Sequence, residues 1–268
     1  QKFEVITYER EESYDCLKNK LIVADAVLHL AGENRPTDQR AFLKGNVELS
    51  QTICSIIGTN NLKIPIIFTS SSQVVLNNPY GASKLAAEKL FKNLADTSKN
   101  SVRIYRLPGV FGKWCKPNYN SVVATFCNNV IQGIPLKIDQ PEKLLKLVFI
   151  DDVIASFIRA FDGELSENLS YNTISPEYSI TLGELAKIIQ SFKISRESFI
   201  VQKVGTGLVR ALYATYLSYL SKENFSYPVD VKEDTRGIFV EMIKTTDSGQ
   251  VSYFTARPGV TRGGHYHH

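Results

Sequence analysis

Short apolar runs alternate with segments of helical periodicity up to about residue 160, and this alternation constrains the fold more than any other feature of the sequence. Between the runs, apolar side chains recur every three or four residues, which indicates helices with one buried face. Strands that alternate with such helices form a parallel sheet covered on both faces. The sequence therefore predicts a doubly wound α/β domain. Its candidate strands are residues 3–7, 26–31, 65–70, 102–107 and 147–150.

The pattern changes near Tyr227 and Pro228. Further helices are predicted after Asp152, after Thr181 and over residues 207–220, whereas residues 237–255 read as strands joined by a turn at Asp247-Ser248-Gly249. Strands joined by short turns are typical of antiparallel sheets. We place a domain boundary near residue 226, which gives an α/β domain over residues 1–226 and a β-domain over residues 227–268.

Composition excludes several classes of protein. The 31 basic and 27 acidic residues leave a formal charge of +4, without a basic block, so a nucleic-acid partner is not expected. The four cysteines are widely spaced and form no C-x-x-C pair, which favours reduced thiols and a cytoplasmic location. No apolar run approaches the length of a membrane-spanning helix, so no membrane partner is expected.

The strongest chemical signal is a tyrosine four residues before a lysine at the start of a predicted helix. Tyr80 and Lys84 share one helical face, so the ammonium can favour the ionised phenol and lower the pKa of Tyr80. A phenol tuned in this way acts as a general acid or base. Ser71 ends the preceding strand, at the sheet edge where open α/β sheets bind ligands. By itself, the Tyr-Lys spacing also fits an exposed tyrosine beside a solvated lysine.

These residues, taken with their context, resemble the extended short-chain dehydrogenase/reductase family, which has a Rossmann-like fold. The resemblance implies catalytic roles for Ser71, Tyr80 and Lys84. It favours Ser71 over Ser70 and Ser72, which strand alternation directs to the opposite side. The segments that carry the resemblance are Thr69-Ser70-Ser71-Ser72, Pro79-Tyr80-Gly81-Ala82-Ser83-Lys84 and Arg106-Leu107-Pro108-Gly109-Val110-Phe111-Gly112.

A dinucleotide cofactor is expected from the same resemblance. His29-Leu30-Ala31-Gly32 ends a predicted strand, and small residues there let the backbone approach the cofactor closely, although a plain strand-to-loop glycine fits as well. No G-x-x-G-x-x-G loop is present, so we expect the chain to lack the first strand and glycine loop of the family. NADP, as NADPH, is favoured over NAD for two reasons. No acidic residue ends the predicted strand over residues 3–7 to bind a ribose 2′-hydroxyl, and Arg10 lies close by. The implied cofactor contacts are Ala31, Gly32, Ser70, Tyr80, Lys84, Leu107 and Pro108.

A polar, aromatic loop follows the predicted strand at residues 102–107. The family binds its nucleotide-sugar in this region, which makes Asn118, Asn120 and Ser121 candidate substrate contacts, and a solvated loop is an equally good interpretation. Asp151 and Asp152 precede a helix with one apolar face, so we interpret them as stabilising its N-terminus and not as a catalytic pair.

The last ten residues resemble the first motif of a cupin domain. His265 and His267 would project from the same face of a strand and could bind one zinc or other divalent metal ion. The glutamate and third histidine that continue the cupin pattern are absent, so we expect an incomplete cupin domain. The surrounding residues also resemble sugar 3,5-epimerases, in which a histidine is the base, so His265 is either a metal ligand or a catalytic base. A residual purification tag is the remaining interpretation.

A reductase domain followed by a cupin resembles the bifunctional capsular-polysaccharide enzymes that make UDP-2-acetamido-2,6-dideoxy-L-talose. The resemblance covers nearly the whole chain. It implies epimerisation at carbon 3 of a UDP-4-keto-6-deoxy-hexosamine by the cupin domain, and reduction of the 4-ketone with NADPH by the first domain. A UDP-sugar substrate and a homodimer are expected accordingly.

Two alternatives remain at this point. The first is an NAD-dependent UDP-sugar 4-epimerase or dehydratase on the same scaffold, although Ser72-Gln73 does not supply the acid-base pair that a dehydratase uses. The second is a non-catalytic protein in which the β-region is a dimerisation element, since the nucleotide-binding loop is absent.

Overall fold

The computed structural model describes residues 3–36, 38–162, 168–261 and 263. The chain forms two compact units. The first comprises Gln1–Val110 and Lys146–Glu177, and the second comprises Phe111–Leu145 and Tyr178–His268. The domain boundary that the sequence pattern places near residue 226 stays a prediction.

The first unit contains a four-stranded parallel sheet in the order β1-β2-β3-β6. In its register, Ile66 lies opposite both Val27 and Val102. Parallel strands covered on both faces are rich in β-branched and apolar residues, and the buried run Ile66, Ile67 and Phe68 has this character. The strands are β1 (Val27–His29), β2 (Ile66–Ser71), β3 (Val102–Leu107) and β6 (Leu169–Asn172).

Helices cover both faces of this sheet. Phe91 and Ile53 belong to the core on one face, where they pack with Ile66, whereas Phe157 belongs to the core on the other face with Ile67. The predicted doubly wound, Rossmann-like arrangement is therefore confirmed. The helical segments of this unit are α1 (Tyr14–Val23), α2 (Arg40–Phe42), a π-helical turn (Leu43–Glu48), α3 (Leu49–Thr59), a 3₁₀ turn (Ser72–Val75), α4 (Pro79–Ser98) and α6 (Ile150–Asp162).

Helix α4 begins with a strong local signal. The Asn78 side chain accepts a hydrogen bond from the Gly81 N–H at 2.7 Å, and Pro79 occupies the first turn, where its missing N–H costs nothing. The helix ends at Ser98, and Lys99 follows in the left-handed conformation. The N-terminal turn therefore fixes where Tyr80 lies.

The second unit combines helices with an antiparallel sheet. Phe192 is fully buried, and its ring lies 5.6 Å from that of Tyr216. The sheet has the order β10-β9-β8. Its elements are α5 (Val122–Gln132), α7 (Leu182–Ser198), α8 (Gly207–Leu217), α9 (Lys222–Phe225), β8 (Val231–Asp234), β9 (Gly237–Lys244) and β10 (Gln250–Phe254). Short strands β4 (Gly109–Phe111), β5 (Leu144–Phe149) and β7 (Tyr178–Thr181) lie near the points where the chain passes between units.

One predicted strand is absent, and the bounds of another differ from the prediction. The strand predicted over residues 3–7 does not form: no strand of the described chain pairs with these residues, and side chains such as Val5 are exposed. The strand predicted over residues 147–150 runs from Leu144 to Phe149, and Ile150 begins α6. Asp151 and Asp152 therefore lie in the first helical turn, where their negative charge interacts favourably with the positive end of the helix dipole.

The antiparallel character of residues 237–255 is confirmed, and so is helix α8 within the predicted residues 207–220. Within the described parts of the chain, every helix is too short or too polar to cross a membrane.

Candidate active site

Ser71 and Tyr80 meet where β2 gives way to α4. Ser71 is the last residue of β2, and its side chain accepts a hydrogen bond from the Gln73 N–H at 3.2 Å, which starts the 3₁₀ turn. This turn leads the chain back to the start of α4. There the Ser71 side chain is close enough to the Tyr80 phenol to lower its pKa. The two predicted catalytic hydroxyls therefore lie together at the carboxyl end of a central parallel strand.

The protonation of Tyr80 differs from the prediction. Burial raises the pKa of the phenol, and the hydrogen bond with Ser71 opposes that rise. The net shift is upward, so the prediction that the phenol is already acidic in the chain alone was wrong. The physical reason is that desolvation of the half-buried ring outweighs the favourable hydrogen bond. A phenol that keeps its proton is suited to donate it.

Lys84 follows Tyr80 by one helical turn and is 4% exposed. Its Nζ lies 4.5 Å from the centre of the Phe68 ring, on the side of the sheet covered by α4. Burial lowers the pKa of Lys84 to about 8, against a smaller opposing effect of the Glu88 carboxylate. The ammonium form therefore predominates at neutral pH, close to the point where it begins to lose its proton.

A buried carboxylate lies one turn further along α4. Glu88 accepts a hydrogen bond from the Ser70 hydroxyl at 2.5 Å and two from the Arg106 guanidinium, at 3.0 Å from Nε and 2.7 Å from Nη2. Ser70 and Ser71 thus point to different partners, as strand alternation predicted. The hydroxyl of Ser70 is bound to Glu88, so its predicted role beside the cofactor stays a prediction.

The π-helical turn supplies a second buried polar residue. Asn46 is 1% exposed, and its Nδ2 donates to Ser83 Oγ at 2.8 Å and to the Glu33 carbonyl at 3.0 Å, while its Oδ1 accepts from the Glu33 N–H at 2.7 Å. Ser83 in turn donates to the Tyr80 carbonyl at 2.7 Å. Asn46 therefore joins the segment after β1 to the first turn of α4.

Gly32 shows how closely this segment approaches the predicted catalytic residue Lys84. A Cβ atom at Gly32 would lie 2.7 Å from Asn46 Oδ1 and 3.5 Å from Lys84 Nζ. The backbone at Ala31 and Gly32 is nevertheless exposed on its other side. These features fit the ribose and nicotinamide end of a dinucleotide, which Tyr80 and Lys84 would hold. The glycine loop that would bind the pyrophosphate is not among the residues of this sequence.

Comparison with known families identifies the family of this chain. Residues 13–172 match the profile of the NAD dependent epimerase/dehydratase family, and residues 232–268 match the polysaccharide biosynthesis C-terminal domain. The chain belongs to the NAD dependent epimerase/dehydratase family. Its members are NAD(P)-dependent oxidoreductases and epimerases, so the Ser71, Tyr80 and Lys84 cluster lies in an enzyme chain.

Relatives of this epimerase/dehydratase chain include longer proteins. The UDP-2-acetamido-2,6-beta-L-arabino-hexul-4-ose reductase of Pseudomonas aeruginosa is 49% identical over 99% of this chain and 71% of its own length. The capsular polysaccharide assembling protein CapF from Staphylococcus aureus is 40% identical, with a TM-score of 0.84 over 95% of this chain and 68% of that one. A UDP-glucuronic acid 4-epimerase from Bacillus cereus, at 18% identity, shares the fold, with a TM-score of 0.65 over 81% of this chain and 79% of that one.

The candidate substrate residues of this epimerase/dehydratase chain lie in the second unit. Ser121 caps α5 by accepting from the Ala124 N–H at 3.3 Å, and the Asn118 N–H donates to Thr125 Oγ1 at 3.0 Å. Asn118 and Asn120 are exposed. Ser121 thus stabilises a helix, a role that the sequence analysis did not assign, and contact of these residues with substrate stays a prediction.

The metal site predicted near the end of the sequence falls outside the described residues. His265 and His267 both belong to the part of the chain that is not described. Across residues 3–36, 38–162, 168–261 and 263, no three metal-binding side chains cluster. The sheet of β8, β9 and β10 is antiparallel, as predicted, but its identity as a cupin has no support from these contacts.

Sequence reasoning missed the buried residues around the site. The side chains of Glu88, Arg106 and Asn46 received no role, although Glu88 follows Lys84 by four residues and so shares its helical face. That spacing was an available signal for Glu88. No comparable signal exists for Asn46, whose partners Glu33 and Ser83 come from distant segments.

Proposed function

We propose that this chain carries the reductase site of a UDP-sugar enzyme that supplies a precursor for capsular polysaccharide. The substrate is a UDP-2-acetamido-2,6-dideoxy-4-keto-hexose, whose 4-ketone is reduced. The observation that carries the proposal is the placement of Ser71 at the end of β2 beside Tyr80 in the first turn of α4, with the buried Lys84 side chain one turn away. The proposal follows the name of the 49% identical relative, a UDP-hexulose reductase, and that of CapF, a capsular polysaccharide assembling protein.

Ser71, Tyr80 and Lys84 have different roles at the ketone oxygen. The Ser71 hydroxyl orients that oxygen by a hydrogen bond, and Tyr80 donates its phenolic proton to it as the alcohol forms. A bound reduced nicotinamide supplies the hydride to the ketone carbon. Lys84 then stabilises the phenolate left on Tyr80 until it regains a proton from solvent. The raised pKa of Tyr80 suits this direction of reaction, because the phenol stays protonated before substrate arrives.

Reduction is favoured over dehydration by the residues that follow Ser71. A dehydratase on this scaffold needs an acid and a base there, and this chain has Ser72 and Gln73, neither of which carries a carboxylate. Both side chains are exposed. The absence of a carboxylate at these two positions does not distinguish a reductase from a 4-epimerase. The test therefore measures net consumption of reduced cofactor, because a 4-epimerase regenerates its cofactor in each cycle.

NADPH is the proposed cofactor. Its support is Arg10, whose guanidinium could bind a 2′-phosphate and whose side chain is largely exposed. In the described chain Arg10 forms an ion pair with Glu33, so a phosphate would compete with that carboxylate. Faster turnover with NADPH than with NADH is expected, and a preference for NADH would contradict this part of the proposal.

The test is the replacement Tyr80→Phe. It removes the proton donor and keeps the ring beside Phe42, so we expect ketone reduction to fall by about a hundred-fold or more. The measurement is the oxidation of NADPH in the presence of the UDP-4-keto-sugar, with product identified by NMR. Substrate binding, measured by calorimetry, should persist.

Tyr14→Phe is the matched control, because Tyr14 is an exposed tyrosine on α1. It should leave turnover unchanged. Measured in an intact enzyme that reduces the ketone, equal turnover with and without the Tyr80→Phe change would remove Tyr80 from the mechanism and, with it, this proposal.

The finer assignments extend the proposal to the C-terminal region. Epimerisation at carbon 3, with His265 as base or with His265 and His267 as zinc ligands, is supported only by the sequence motif, and the match to a polysaccharide biosynthesis C-terminal domain is compatible with either. An acidic C–H beside the 4-ketone makes such a step chemically consistent with the reduction. A cupin domain, a zinc ion, a talose product, a cytoplasmic location and a homodimer stay predictions.

A further inference from the structure

A carboxylate that the mechanism does not use is buried beside the catalytic lysine. Glu88 is 1% exposed and lies on α4 one turn after Lys84. Its Oε1 accepts hydrogen bonds from Ser70 and from Arg106 Nε, and its Oε2 accepts from Arg106 Nη2. Arg106 can only donate hydrogen bonds, so both oxygens of Glu88 act as acceptors towards it.

Arg106 balances this charge from the outer side. It lies on β3, its side chain is 38% exposed, and its guanidinium stacks 4.8 Å from the centre of the Tyr171 ring. The two parallel hydrogen bonds to Glu88 have the geometry of the strongest arginine-carboxylate pairs. Arg106 therefore lies between the buried carboxylate and solvent.

Few titratable or charged groups lie on the elements that surround Lys84. On α4 these groups are the Glu88 carboxylate and the Tyr80 phenol, which is neutral. From β1 comes His29, whose pKa burial lowers to about 3, so the ring is neutral at working pH. From β3 comes Arg106, which is bound to Glu88. On the segment after β1, the Glu33 carboxylate is paired with Arg10. Glu88 is thus the carboxylate, among the described residues, that supports the Lys84 ammonium against its burial.

We propose that Glu88 is a positioning residue that keeps Lys84 protonated during the reaction, and that Arg106 sets how much of the carboxylate's charge Lys84 experiences. The catalytic meaning of this inference rests on the proposed function of Tyr80 and Lys84. The electrostatic link itself does not, because it concerns two side chains of the unliganded chain. It predicts opposite effects for the two partners of the ion pair.

The experiment titrates Lys84 directly by NMR of its labelled side-chain amine, with the signal assigned from a Lys84→Arg chain. Glu88→Gln removes the negative charge and keeps the side-chain size, so the pKa of Lys84 should fall by about one pH unit. Arg106→Met removes the compensating positive charge, so the pKa of Lys84 should rise. A purely structural role for the network would not give shifts of opposite sign.

Two control variants separate charge from packing. Ser70→Ala removes a hydrogen bond to Glu88 without changing any charge, and Asp96→Asn removes a negative charge from the exposed surface of α4. Both should leave the titration of Lys84 unchanged. Shifts in the same direction for Glu88→Gln and Arg106→Met, or no shift in either, would overturn the inference. If Glu88→Gln does not fold, the Arg106→Met chain decides by the sign of its shift.

Activity gives an independent readout. In the Glu88→Gln chain the loss of ketone reduction at alkaline pH should begin at a lower pH than in the unaltered chain. If the NMR shifts have opposite signs but the unaltered chain reduces no ketone, the proposed function fails and the link between Glu88 and Lys84 stands. If the ketone is reduced and Lys84 does not respond, the inference fails alone.

Discussion

At the scale of single residues, burial and charge oppose each other at Lys84. The side chain is almost fully enclosed, and its Nζ lies 4.5 Å from the centre of the Phe68 ring. Enclosure concentrates the effect of the ammonium on Tyr80, since little solvent screens it. The same enclosure disfavours the charge itself, which is why the pKa of Lys84 falls to about 8. A residue retained at such a cost is expected to serve function at the expense of stability.

Replacement of Lys84 by methionine should therefore stabilise the chain and abolish reduction. The folded pKa lies below the unfolded value of 10.5, so the unfavourable contribution is fully present below pH 8 and disappears as pH rises towards 10.5. We expect Lys84→Met to raise the free energy of unfolding at neutral pH by about 2 kcal/mol, measured by urea denaturation. Lys89→Met, at an exposed position of α4, is the control and should change stability little. A destabilised Lys84→Met chain would contradict this account.

At the scale of elements, the 3₁₀ turn and the start of α4 form one unit that sets the distance between Ser71 and Tyr80. Gly81 lies where these two segments touch: a Cβ there would fall 2.2 Å from the Gln73 carbonyl oxygen and 3.2 Å from that of Leu76. Both obstacles are backbone atoms, which cannot rotate away as a side chain can. A glycine is therefore required for the turn to pack against the helix.

Gly81→Ala should separate the two elements. We expect a loss of about 1 to 3 kcal/mol in the free energy of unfolding and a larger proportional loss of ketone reduction, because Ser71 and Tyr80 no longer meet. Gly58→Ala is the matched control: its Cβ would meet no atom within 4 Å, inside helix α3. That change should stabilise the chain by about 0.5 to 1 kcal/mol. Equal effects of the two substitutions would show that the contact at Gly81 is unimportant.

At the scale of the whole molecule, stability should depend on pH through a buried histidine. His29 is 4% exposed, stacks on Phe68 with 5.3 Å between ring centres, and lies 3.1 Å from Ser50 Oγ through its Nε2. Burial lowers the pKa of His29 from 6.5 to about 3, with a smaller contribution from Lys84. Its folded pKa is therefore below its unfolded pKa. The stability that it contributes is complete above pH 6.5 and is lost as pH falls towards 3, since only the unfolded chain takes up the proton.

The expected loss is about 2 kcal/mol between pH 6.5 and about pH 5, a range mostly above the titration of carboxylates. His29→Gln should be less stable at neutral pH and should show a flatter pH dependence, measured by urea unfolding at each pH. The other three histidines, at positions 265, 267 and 268, provide the control. A chain with these three replaced by glutamine should keep the full pH dependence, and a flat profile for that chain would contradict the assignment to His29.

The candidate site was predictable where a short segment of sequence determines the geometry. The helix period placed Tyr80 and Lys84 on one face, and strand alternation separated Ser70 from Ser71. Alternating strands and helices likewise predicted a parallel sheet covered on both faces. These features follow from local backbone periodicity, which the order of residues specifies directly.

Contacts between distant segments were decided by the tertiary structure. Residues 3–7 have the composition of a strand, but a strand forms only beside another strand, and no strand of the described chain pairs with them. Tyr80 has a raised and not a lowered pKa because desolvation depends on what packs around the ring. Glu88 became a buried partner of Arg106 only when α4 packed on β3, which joins residues 18 positions apart in sequence. The sequence determines which groups are available, and packing determines their solvation and therefore their charge.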